Sequence, residues 1–324
     1  MLPGPCRCPQ SRDREKGCPG SCPATRCTDV SGILNIDKPA GWTSHGVVAR
    51  VRRMIHERRV GHAGTLDPMA TGVLLICVGQ ATRVSEYLME APKLYRACVR
   101  FGTATDTYDA TGTVTAETGA IPSTQEAVEA LLNRFVGRIM QVPPPYSAIK
   151  LEGEPAYRRA RRGETVAQAA RPVEVYEIRQ RSWIPPDLEI DVLCGKGTYI
   201  RSLAHDLGLA AGSAAHLARL ERRAVGHFRI DEAVSLEELA TSAEEGGWQG
   251  FLHPLDEALL HYQALIVSME AVSRLLHGQP IEAEPAPEGV IARVYGPEGE
   301  FVALVRSGKQ PGIWHPHKVF AICV

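Results

Sequence analysis

The chain has 324 residues, enough for about two domains at ~150 residues each, and its 44% apolar and 23% charged residues are those of an ordinary folded protein. No run of ~18 apolar residues exists, which excludes a membrane-spanning helix, and the N-terminus lacks an apolar signal core, so a cytoplasmic protein is expected. The formal net charge of −1 hides a segregation: five arginines oppose Glu57 between Arg50 and Arg59, six basic residues oppose three acidic ones between Lys150 and Arg171, and six oppose two between Lys196 and Arg229. Asp231 to Tyr262 holds eight acidic residues and no Lys or Arg. Basic segments so separated can assemble a phosphate-binding surface, although each alone also fits a solvated helix face.

Residues 1–30 read as a disordered leader, dispensable for activity, with Val30 as a candidate start site. Cys6, Cys8, Cys18, Cys22 and Cys27 lie there, but without a paired Cys-x2-Cys step or a nearby His they do not make the usual zinc pattern, and no metal is expected. Cys77, Cys98, Cys194 and Cys323 are scattered singly among apolar residues and read as core.

Gly32 to Ile36 is strand-like, and Asp37 to Gly41 is a turn. Thr43 or Ser44 can cap a helix whose apolar face is Val47, Val48, Val51, Met54 and Ile55. Val60 to Gly72 is a glycine-punctuated loop, followed by a strand over Val73 to Val78. Strands are expected at Tyr95–Phe101, Thr111–Val114, Val173–Ile178 and Leu188–Cys194, and around Thr198. Helices are expected at Thr124–Phe135, Glu154–Arg162, Leu203–Leu207 and His216–Leu220. Strands and helices mix without a βαβ rhythm, which predicts an α+β fold with a largely antiparallel, mixed sheet. After an acidic helical stretch come Ala271–Leu276 and short strands at Gly289–Tyr295, Phe301–Val305 and Val319–Val324. The domain plan is therefore a leader over 1–30, a larger α+β domain over 31–250 and a small β-rich domain over 251–324.

The segment Gly61-His62-Ala63-Gly64-Thr65-Leu66-Asp67-Pro68-Met69-Ala70-Thr71-Gly72 is the most informative. Its three glycines permit a tight backbone path. Asp67-Pro68 on its own also fits a helix start, with Asp as cap and Pro at the first position.

This segment resembles the signature loop of the TruB family of pseudouridine synthases. The resemblance continues through Gly32–Pro39 with Gly41–Ser44, Lys93–Arg96, Thr105–Gly112, Pro144–Lys150 and Lys196–Arg201, and covers roughly residues 31–230. It implies that the chain isomerises uridine 55 in the tRNA T-loop, with no cofactor, by flipping the base out of the loop. It further implies that Asp67 is catalytic, attacking the base or the sugar or removing a sugar proton. Tyr95 would stack on the uracil, although a cross-strand aromatic is the plainer reading of that position alone. Arg201 would pair with Asp67 and keep it ionised. His62 would stack within the T-loop, and Lys38, counted with the RNA-binding residues, would support the active-site loop rather than touch phosphate. Arg158, Arg159, Arg161 and Arg162 are candidates for backbone phosphate contacts. The expected partner is the T-loop and T-stem of tRNA, with no obligatory protein partner and a monomeric enzyme. Met69-Ala70 after Asp-Pro favours the stand-alone type over the guide-RNA-dependent type. The last part of the chain resembles a PUA-like domain through His277–Ile281 and Pro316–Phe320.

Overall fold

A computed structural model of the chain describes residues 30–146, 150–151, 154–155 and 169–320. Residues 1–29 and Arg158, Arg159, Arg161 and Arg162 lie outside the described residues, and so does most of the helix expected over Glu154–Arg162. Glu154–Pro155 instead pairs with Lys150–Leu151 in a short antiparallel ribbon.

The largest sheet among the described residues has ten strands. Its strands are β1 (Gly32–Lys38), β2 (Val60–His62), β3 (Thr71–Val78), β4 (Lys93–Phe101), β5 (Gly137–Gln141), β6 (Arg171–Ile184), β7 (Asp187–Cys194), β8 (Ala215–Val225), β9 (Phe228–Arg229) and β10 (Leu252–His253). The order is β10-β1-β3-β8-β4-β7-β6-β5, with β2 also on β3 and β9 on β8. All pairings are antiparallel except β3 with β8.

Central β3 reads Thr-Gly-Val-Leu-Leu-Ile-Cys-Val and is buried along almost its whole length. Such an apolar run requires cover on both faces. Leu74, Ile76 and Val78 face a core shared with α1 (Ser44–Met54), α3 (Gln125–Asn133), α4 (Ile200–Ala210) and α5 (Leu236–Glu244). Val73, Leu75 and Cys77, one residue out of phase, pack with Tyr87 and Leu88 of α2 (Ser85–Glu90) and with Leu304 and Phe320 from the C-terminal part. Thr43 caps α1 as expected, accepting from the Gly46 N–H at 2.9 Å. Cys77, Cys98 and Cys194 are buried free thiols.

Two expectations are corrected. His216–Leu220 is not helical but part of strand β8. Register shifts after Leu217 and after Arg222 break its two-residue alternation, so that Leu217, Leu220 and Ala224 acquire a helix-like spacing. Thr198 is not in a strand; it belongs to the Gly-rich turn before α4, where Gly197 has φ +78°. In addition, the strand expected at Thr111–Val114 falls at Val114–Glu117, paired with Thr103–Thr105.

A second, five-stranded sheet follows, built from β11 (Gln263–Ile266), β12 (Ile281–Glu282), β13 (Ile291–Tyr295), β14 (Phe301–Ser307) and β15 (Ile313–Val319) in the order β11-β13-β14-β15-β12. Of the strand expected at Val319–Val324, Val319 is the last residue of β15 and Phe320 lies outside it, while residues 321–324, with Cys323, lie outside the described residues. With α6 (Met269–Leu276) this sheet encloses its own core around Trp314. Lys318 forms an ion pair with Glu86, and Arg83 donates to the Val319 carbonyl at 2.6 Å, joining it to α2 and the turn before it.

Candidate active site

The chain between β2 and β3 is a hairpin connection carrying Asp67 at its tip. Pro68 and Met69 make one turn, and no helix begins there, so the capping reading of Asp67-Pro68 does not hold. What fixes the loop is a set of side chains bonded to its backbone. Ser44, 1% exposed, accepts from the Leu66 N–H at 2.9 Å and donates to its carbonyl at 3.1 Å. Lys38, fully buried, donates from Nζ to the carbonyls of Trp42 (2.8 Å), Pro39 (2.9 Å) and Pro68 (3.3 Å). It braces the loop from beneath and presents no surface to a phosphate. Arg222, 1% exposed on β8, donates to the carbonyls of Val73 (2.7 Å) and Gly64 (3.1 Å), with Thr65 at 3.5 Å.

Arg201 stands in the first turn of α4. Its Nη2 donates to Asp67 Oδ1 at 2.9 Å, while Nε lies 2.9 Å from Oδ2 without the alignment of a hydrogen bond. The helix start is set by Gln141 of β5, whose side chain bonds both the N–H (2.8 Å) and the carbonyl (3.1 Å) of Tyr199. Arg201 also donates to the carbonyls of Tyr146 (3.1 Å) and Thr107 (3.4 Å) and lies 3.7 Å from Asp109. Asp109 is 5% exposed and is held by Thr107 Oγ1 (2.8 Å) and by the N–H (2.9 Å) and hydroxyl (2.6 Å) of Thr111.

Burial raises the Asp67 pKa above its ordinary 3.8; Arg201 opposes that shift and Asp109 adds to it. The Asp67 side chain keeps 31% exposure, against 6% for Arg201, so a carboxylate oriented by a hidden cation remains open to a ligand. It opens onto a cavity of about 610 Å³ lined by Tyr95, Leu220, Arg222, Lys93, Tyr146 and Tyr199, among others. That volume suits a small organic ligand. Tyr95 is 9% exposed on β4 and stands directly opposite Arg222 on β8. Burial raises its pKa, and Arg222 works the other way.

His62 ends β2, its ring edge-on to His45 at 5.1 Å. Burial, with lesser contributions from His45 and Arg222, lowers its pKa to about 4. The ring is therefore neutral at pH 7, and a neutral flat ring can stack against a base. Of the three basic runs, the last is divided: Arg201 and Arg222 are buried in the site, whereas Lys196, Arg219 and Arg229 are exposed. Arg50, Arg52, Arg53, Arg58 and Arg59 all stay exposed.

Sequence reasoning assigned no role to Arg222, Asp109 or Gln141, and offered Ser44 only as an alternative helix cap, whereas it braces Leu66. Asp109 lay in a quoted motif without a function, and Arg222 was hidden in a run of basic residues. Among the described residues no group of His, Cys, Asp and Glu is placed to hold a metal ion, and no helix is long and apolar enough to cross a membrane.

Residues 52–200 match the model of the TruB family pseudouridylate synthase N-terminal domain, and residues 201–260 match the tRNA pseudouridylate synthase B C-terminal domain. The chain is 41% identical to tRNA pseudouridine synthase B of Stutzerimonas stutzeri, over 85% of this chain and 91% of that one. It is 40% identical to the protein of the same name from Dehalococcoides mccartyi, over 90% and 97%. Similar solved structures include an H/ACA RNP bound to a substrate RNA containing 2'-deoxyuridine, with a TM-score of 0.71 and 26% identity over 91% of this chain and 86% of that one. A Cbf5-Nop10-Gar1 complex gives 0.70 and 28%, over 90% and 85%. With the Asp67–Arg201 pair set over a nucleoside-sized cavity in the fold these structures share, the chain belongs to the TruB family of pseudouridylate synthases.

Proposed function

We propose that this chain isomerises uridine 55 in the T-loop of tRNA to pseudouridine, by base flipping and aspartate catalysis without a cofactor. The observation that carries the reading is the Asp67 carboxylate, paired with buried Arg201 yet open to the cavity beside Tyr95. The names of relatives 40–42% identical to the chain support tRNA as substrate.

A uridine in a folded loop cannot reach Asp67 without leaving its stack. Neutral His62 is suited to fill the vacated space by stacking. Tyr95 packs against the flipped uracil in the cavity. Asp67 acts as nucleophile or base, with Arg201 opposing the burial that raises its pKa. The exposed arginines of α1 and its following turn, with Arg158, Arg159, Arg161 and Arg162, meet T-stem phosphates. The protein acts as a monomer, without an obligatory protein partner, in the cytoplasm.

A second reading is guide-dependent action within a protein assembly, since solved structures like this one include H/ACA and Cbf5 complexes. Their identity is 26–28%, well under that of the tRNA pseudouridine synthase B relatives. Incubation of the purified chain with an unmodified tRNA transcript, followed by carbodiimide primer extension, separates the two. A single stop at position 55, absent with Asp67→Asn, is expected. Unmodified tRNA, or modification only at other uridines, would refute the assignment.

A further inference from the structure

Among the described residues four cationic side chains are buried: Lys38, Lys93, Arg201 and Arg222. All four gather at one place. Lys93, Arg201 and Arg222 line the cavity, and Lys38 donates to the carbonyl of Pro68, next to Asp67. Two carboxylates stand among them, Asp67 and Asp109, and Arg201 engages both; Asp37 beside Lys38 and Glu90 beside Lys93 are exposed, and Glu90 is paired with Lys196. The other three cations have carbonyl partners. Lys93 donates to Met89 and Ala91, Lys38 to three carbonyls, and Arg222 to Val73, Gly64 and Thr65. Carbonyl dipoles solvate a charge but do not cancel it. With four cations to two carboxylates, the site keeps an excess of positive charge, and uncompensated buried charge is costly to hold. The pKa of each lysine is correspondingly lowered by burial, to about 8.

The isomerisation gives such charge a use. When the C1′–N1 bond breaks, its electron pair leaves with the base, and the negative charge spreads over N1, O2 and O4. C5 then bonds to C1′, the C5 proton is lost and N1 takes up a proton, so the net change is neutral. If Asp67 first adds to the ring, the charge builds on O4 instead. On every route the base passes through an anionic state.

We propose that Arg222 is the group that stabilises this anionic uracil ring. Lys38 spends its three N–H donors on three carbonyls, whereas a guanidinium has five, and three carbonyls leave Arg222 with donors to spare. It faces the Tyr95 hydroxyl across β4 and β8, so a base stacked on Tyr95 lies within its field. A backbone phosphate is the less suitable anion, because Arg222 is 1% exposed while Lys196 and Arg171 line the same cavity from exposed positions.

The proposal rests on the uridine-isomerising reading, and its test can fail separately. The probe is 5-nitrouracil, which ionises in the weakly acid range, titrated calorimetrically into the full-length protein on both sides of that ionisation, with uracil as the non-ionising control. The wild type should bind the anion at least ~10-fold more tightly than the neutral form, a free-energy difference of ~1.4 kcal/mol. Uracil affinity should stay flat over the same range. Arg222→Lys should keep the preference and Arg222→Gln should lose it, with single-turnover isomerisation of tRNA reduced ~10²-fold in the Gln variant and tRNA affinity little changed. Should the Gln variant not fold, Lys93→Gln decides: it should keep the preference for the anion, and its loss there would move the role from Arg222 to Lys93. Equal affinity for the two forms, no binding of the anion, or an unchanged preference in Arg222→Gln would overturn the assignment. A wild-type protein that releases no C5 hydrogen from tRNA would instead refute the function.

Discussion

Arg201→Met removes the one cation shared by two carboxylates and replaces it with a chain of similar length. Burial raises the Asp67 pKa, Arg201 is the largest influence opposing that rise, and Asp109 adds to it. Without the guanidinium, Asp67 faces both desolvation and the Asp109 charge, 3.7 Å from where Arg201 Nη1 now lies. An opposite charge at this range holds a carboxyl pKa down, so its loss should move the acid limb of the pH–rate profile to higher pH. The sign follows from the chemistry: the ionised form is active, so activity disappears as pH falls through the folded pKa, and raising that pKa brings the loss closer to neutrality. Loss of orientation adds a pH-independent fall of ~10²-fold or more. Release of tritium from C5-labelled tRNA, measured in single turnovers across pH, separates the two parts. An acid limb in its wild-type place, or turnover near wild type, would refute this account of Arg201.

Asp109→Asn keeps the size and the bonds to Thr107 and Thr111 but removes the second charge on Arg201; kcat should fall while KM for tRNA changes little, and a pure KM effect would contradict the positioning role. Gly72→Ala should destabilise by well over the ~1–3 kcal/mol of backbone strain alone, because the residue has φ +97° and its new Cβ would stand 2.3 Å from the Arg222 carbonyl oxygen; urea unfolding within ~0.5 kcal/mol of wild type would refute the close approach. Replacing Arg158, Arg159, Arg161 and Arg162 with Ala should reduce the salt dependence of tRNA affinity by up to ~1 logarithmic unit per lost phosphate contact. An unaltered slope would return that run to a solvated face.

The elements that could be read from sequence are those whose pattern is local. Val73–Val78 is apolar without interruption, and the α1 face repeats at helical spacing, so strand and helix were plain. The Asp67 loop was visible through its resemblance, which also brought Tyr95 and Arg201 forward. β8 was misread because two bulges distort its alternation and long basic side chains crowd it. Arg222 was lost for the same reason: nothing in Leu-Glu-Arg-Arg tells which arginine turns inward. That choice is made by pairing with β3 and β4, a relation between distant parts of the chain. Asp109 and Gln141 also act across long separations, on Arg201 and on the start of α4, and no spacing rule reaches them.

The place of β8 between β3 and β4 also sets an order of events during translation. A nascent chain released from the ribosome at β7 already carries Asp67 and Tyr95, but lacks both arginines that hold the loop, and its β3 and β4 edges lie open side by side. Such unpaired edges recruit other chains. A message broken between β7 and β8 therefore yields neither a weak enzyme nor a harmless fragment. It yields an adhesive one, and quality control has to clear it before the edges find each other in a second copy.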